Sequence, residues 1–207
     1  MGKYLFMEHV LNRLSCGPFF RRFLALSLRI FAAVIAVGGL IAFVNAWNHT
    51  AKLPSARILG GIVYILSLAG GFYMAVHAIL IRSKDIRGLP DSEFTLIPIF
   101  SVLSRMTGEA YAAFVAAVAV GGGILIWFAE GSSYPILEDM SLLFPHGGGE
   151  TFPDGIRFML RGVLRAVLAL AGGYLLSEIF VVLEKVAGNA RIAVPSSRES
   201  DEGETGS

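Results

Sequence analysis

The sequence predicts an all-α membrane protein, a four-transmembrane-helix bundle built as a duplicated two-helix hairpin with short interfacial helices. Three observations predict it. Four apolar stretches, near residues 23–46, 58–82, 109–129 and 163–186, each reach the roughly 20 residues needed to cross a hydrocarbon core. Charged residues make up only 16% of the 207, against about 25% in ordinary soluble domains, and they avoid those stretches. Finally, the stretches resemble one another in pairs. Residues 31–41 (FAAVIAVGGLI) return as 114–124 (FVAAVAVGGGI), and 66–72 (LSLAGGF) return as 168–174 (LALAGGY). That order points to one copied hairpin.

Residues 1–22 place Tyr4, Leu5, Phe6, Val10, Leu11 and Leu14 among polar residues at near-helical spacing. Such a segment lies along a membrane surface with its apolar face in the headgroup boundary. No small-x-small cleavage site follows a short apolar core, so the first span is read as a retained anchor. Spans one to four fill a domain over 23–188. Backbone amides in lipid must be satisfied within the segment, which selects helices over strands. Between spans two and three, Leu89-Pro90-Asp91 signals a turn, and residues 97–105 then read as a second interfacial helix with Pro98 in its first turn. The longest connection, near 131–155, carries an apolar middle around Met140 and Phe144 and the glycines 147–149. It is read as another interfacial helix in a pliable loop. Residues 189–207 end in Ser, Glu, Asp and Gly, a composition that buries too little surface to order itself.

The basic residues set the orientation. Residues 1–22, the connection after span two and the segment after span four hold Lys3, Arg13, Arg21, Arg22, Arg82, Lys84, Arg87, Arg105, Lys185, Arg191 and Arg198. Those regions share one side, so both termini are expected in the cytoplasm and the chain in a plasma (bacterial inner) membrane. The net charge of +1 gives no reason for a nucleic-acid partner. Cys16 is the single cysteine, so no internal disulfide forms.

A glycine pair sits near the middle of every span: Gly38 and Gly39, Gly70 and Gly71, Gly121 and Gly122 (with Gly123), Gly172 and Gly173. Lipid offers no hydrophobic drive between helices, so close approach at small residues is expected to hold them together. Four ionisable residues fall inside the span ends on the cytoplasmic side: Arg29, His77, Glu109 and Glu178. Hydrocarbon solvates none of them, so each is a candidate for an intramembrane or partner contact. Pairing of Glu178 with Arg29 or with a neighbouring subunit is the leading expectation. On the opposite side Arg157, Arg161 and Arg165 recur every four residues. They read as an ion-pair collar with Glu138, Asp139, Glu150 and Asp154, or as a site for an anionic headgroup.

Catalytic signatures are missing. His9, His49, His77 and His146 show no metal-ligand spacing, and no phosphate-binding loop or nucleophile elbow occurs. The sequence therefore implies no catalytic residue, metal or cofactor. Its expected partners are the lipid bilayer and other membrane subunits or copies of itself. The function expected is a non-catalytic subunit or scaffold of a larger membrane assembly. The alternative is a small transporter or channel, which usually shows polar residues or broken helices at midplane; here that zone is aliphatic and glycine.

Overall fold

A computed structural model describes residues 17–89, 96–129, 137 and 151–202. These residues are helical apart from short connections. Helix α1 is Gly17–Thr50, α2 is Ile58–Arg87, α3 is Leu96–Ala129 and α4 is Phe152–Glu202. All four are long and apolar enough to cross a membrane.

Local chemistry explains the ends. After α1, Ala51 N–H bonds Trp47 O and Leu53 N–H bonds Thr50 O, and a single 3-10 turn at Ser55–Arg57 then starts α2. Two long helices joined so tightly must run antiparallel. Gly88 closes α2 by donating to the carbonyls of Lys84 and Asp85. At the start of α4, the Thr151 hydroxyl and N–H both bond the Asp154 carboxylate, at 2.6 and 3.3 Å. That is a capping arrangement for otherwise orphaned amides.

The helices are longer than the expected spans. Residues 97–105 are no separate interfacial helix but the first turns of α3, which runs unbroken from Leu96. Pro98 does sit in its first turn, where a missing N–H is harmless. Residues 17–22, expected on the membrane surface, open α1. Helix α4 continues as far as Glu202, into the segment 189–207. The surface segment before residue 17 and the interfacial helix around Met140 lie outside the described residues.

Each helix makes its main face with its neighbour in sequence: α1 with α2, α2 with α3, and α3 with α4. Consequently α3 is central, with 50% of its apolar window buried against 11% for α4. One apolar core gathers Tyr64, Ile65 and Leu68 with Val115, Val118, Leu125, Ile126 and Phe158. Leu137, from the long connection, is seated in it. A second core at the other end holds Leu28, Ala32, Ile79, Ile86, Ile99 and Met106.

The hairpin repeat fails on register. In the first hairpin Gly39 faces Phe72. A copied hairpin would set Gly122 against Tyr174, whereas Gly122 faces Phe158, sixteen residues and about 24 Å away along α4. The matched segments therefore meet at different heights in the two hairpins, which gives the duplication no support. The likeness is compositional, since Ala, Val, Gly and Leu recur in any apolar helix.

Candidate functional site

Several of the glycines expected to pack meet a neighbouring helix, at different heights along the molecule. A Cβ built on Gly39, Gly71, Gly121, Gly122 or Gly173 would press on a neighbouring helix, whereas Gly38, Gly70 and Gly172 have nothing within 4 Å. In the pairs of spans one, two and four, one residue thus faces a neighbour and the other faces out, whereas in span three both face a neighbour. The closest crossing joins Gly173 to Gly108, a glycine outside the four expected clusters. Here a Gly173 Cβ would lie 2.8 Å from Ser104 O and 2.9 Å from Gly108 Cα. Helices α3 and α4 touch backbone to backbone at that point.

The crossing positions the polar groups next to it. Glu109 follows Gly108 and Tyr174 follows Gly173, so their side chains leave the contact together. The Tyr174 hydroxyl donates to Glu109 Oε1 at 2.8 Å. From α2, Arg82 grips the same carboxylate with two donors: Nε to Oε2 at 3.0 Å and Nη2 to Oε1. Arg82 also holds Asp85 at 2.9 Å, one turn along its own helix. Bidentate arginine–carboxylate pairs combine charge with a fixed geometry.

A second strand of the network runs beside the first. Arg105 Nε donates to Ser177 Oγ at 2.7 Å, and its guanidinium lies 5.4 Å from the Tyr174 ring centre. Ser101 and Ser177, both buried, bring their hydroxyls to 2.7 Å. Ser101, Arg105 and Glu109 recur every four residues and so share one stripe of α3. The two strands tie α2, α3 and α4 together in one layer. The side chains of Arg82 and Glu109 keep 24% and 20% exposure, so the pair is mostly withdrawn from solvent. Removing one partner would strand the other.

The other sequence candidates are placed differently. Arg29 is half-buried at one edge of α1, and Glu178 is exposed on α4. The register set by Arg21 reaching Leu89 O and Gly39 facing Phe72 puts Arg29 level with Arg82. It shares that layer with Ser177 and Glu178, but α1 and α4 are the outer helices. The expected Arg29–Glu178 pair is therefore not formed within the chain. His77 is exposed, its ring stacked on Tyr73 at 5.8 Å. Of the four ionisable candidates, Glu109 alone joins the network.

At the opposite end, Arg157 approaches Asp154 at 3.5 Å and both Arg157 and Arg161 are exposed, while Arg165 is half-buried. The acidic residues 138, 139 and 150 expected to answer them lie outside the described residues. Trp127 Nε1–H bonds Phe152 O at 3.0 Å, and their rings stack.

Sequence reasoning passed over Arg82, Arg105, Ser101, Ser177 and Gly108. Hydropathy places both arginines with the loops, because the apolar stretches stop short of where α2 ends and α3 begins. The four-residue spacing of Ser101, Arg105 and Glu109 was the available signal. Among the described residues, no three His, Cys, Asp or Glu side chains gather as metal ligands. No family model, curated protein or solved structure matches the chain.

Proposed function

We propose that this protein is a non-catalytic integral membrane subunit or scaffold of a larger membrane assembly. The observation that carries the reading is Glu178. It is an exposed carboxylate among Leu175, Ile179 and Val182 on an outer helix, and among the described residues no hydrogen bond or ion pair engages it. A carboxylate at that depth calls for a proton or a cation. Arg82, Glu109, Tyr174, Ser101, Arg105 and Ser177 are already taken up by one another. Glu109 has both oxygens occupied, and the layer deeper in the molecule is closed by Tyr64, Leu68, Val115 and Val118, which weighs against a central pathway. Crowding of Arg21, Arg22, Arg82, Lys84, Arg87, Arg105 and Lys185 at one end supports both termini in the cytoplasm of a cell whose plasma membrane, a bacterial inner membrane in this reading, holds the chain.

Purification in mild detergent, followed by mass measurement of the intact particle, tests the reading. The expected particle is heavier than one 22.2 kDa chain, and Glu178→Leu loosens it more than Glu178→Gln, which keeps polarity and shape. A single chain, with both variants unchanged in yield and melting temperature, would overturn it.

A further inference from the structure

The two outer helices carry matching faces. On α4, Arg157, Leu164, Ala171 and Glu178 recur every seven residues and are all exposed. Such a repeat forms one continuous stripe on a helix. On α1, Ala33, Leu40 and Trp47 recur at the same spacing, also exposed, with Arg29 one turn before Ala33. The chain of contacts across the molecule fixes their relative heights. Thr50 meets Gly61, Tyr64 meets Gly121 and Gly122 meets Phe158, which sets Trp47 level with Arg157. The layer of Arg82, Arg105 and Ser177 sets Arg29 level with the Glu178 end. Between them Leu40 stands at the height of Leu164, and Ala33 at that of Ala171.

We infer that copies of this chain associate side by side in the membrane, the α4 stripe of one docking on the α1 stripe of the next. All copies share one orientation and one membrane plane, so equal heights meet. Glu178 then reaches Arg29 of the neighbouring copy, and Arg157 meets the neighbour's Trp47 ring, a favourable cation–π partner. Ala33 and Ala171 face each other and let the backbones approach. An apolar groove of about 320 Å³ beside the α1 stripe, lined by Ala36, Gly39, Leu40, Phe43, Phe72 and Tyr73 among others, stands at the height of Leu164 and accepts its side chain.

The symmetric alternatives are disfavoured by charge. An α4–α4 contact would set Glu178 against Glu178 and Arg157 against Arg157. An α1–α1 contact would set Arg29 against Arg29. Only the unlike pairing joins opposite charges. A contact of that kind is heterologous, so it closes into a ring or continues as a row.

This inference rests on the subunit reading, and one experiment separates their failures. The full chain carrying Cys16→Ser is oxidised in native membranes with Ala33→Cys, Ala171→Cys or both. The double variant is expected to give a ladder beyond the dimer. The two single variants should cross-link when co-expressed and remain uncrossed alone. Glu178→Arg or Arg29→Glu should each lower the cross-linked fraction about tenfold, since like charges then meet, and combining them should restore it. Cross-linking by Ala171→Cys alone, or no recovery in the charge swap, overturns the unlike pairing. A large particle without any cross-link overturns self-association and leaves the subunit reading standing. A lone monomer overturns both.

Discussion

The two sequential hairpins use the same kind of residue for different ends. Between α3 and α4, Gly108 and Gly173 bring backbone onto backbone, and the residues following them hold the ion-paired layer. Between α1 and α2, the nearest atoms to Gly39 belong to the Phe72 side chain, beside an open groove. A glycine against backbone is a rigid constraint, whereas a glycine against a side-chain ring leaves room to adjust. The hairpins share composition and differ in what their glycines touch, and that contact decides how much each one matters.

The largest effect is expected at Gly173. Any larger residue there meets main-chain atoms that cannot move alone, so Gly173→Leu must part α3 from α4 and separate Glu109 from Tyr174. Its cost is expected at about 3 kcal/mol or more, the upper range of overpacking, read as a fall in melting temperature in detergent. Gly172→Ala, one position along and facing open space, should stay within about 0.5 kcal/mol of the parent. Equal effects at both positions would erase the distinction between the two faces.

A smaller effect belongs to the ion pair itself. Glu109→Gln should lower stability by about 2 kcal/mol and Arg82→Gln by a similar amount, because each leaves the opposite charge without its partner. The double variant should cost less than the two singles added, giving a coupling of about 1–2 kcal/mol. Additive losses would mean that Arg82 and Glu109 act separately. A smaller effect than that of the ion pair is expected at Gly39→Ala. Its Cβ would stand 2.8 Å from Phe72 Cγ, a side chain rather than backbone, and that ring borders the groove. A loss under about 1 kcal/mol is expected. A loss as large as that of Gly173→Leu would show that the first hairpin is as tightly set as the second.

The contrast also shows what the sequence made legible. Four apolar stretches and small-residue packing are local facts, and both are written in runs of adjacent residues. Glu109 stood out because a carboxylate opening an apolar stretch has few solvents available. Its partner Arg82 did not, since hydropathy ends the second span where α2 continues for another turn. The apparent repeat misled for a related reason. Composition records which residues lie in a helix, but the offset between helices is set by contacts such as Gly122 with Phe158, distant in sequence. Shared depth suggests a pairing of Glu178 with Arg29 or with a neighbouring subunit. Depth alone does not say that α1 and α4 stand at opposite edges of the row.

Leu137 gives the long connection a property of its own. Its side chain is 1% exposed and lies 3.3 Å from the Cβ position of Gly122, beside Phe158. Leu137 thereby ties the connection between α3 and α4 to both helices at one point. A peptide graft after the anchor would inherit a fixed starting point on the helix row, held by a leucine in the space that one glycine leaves empty.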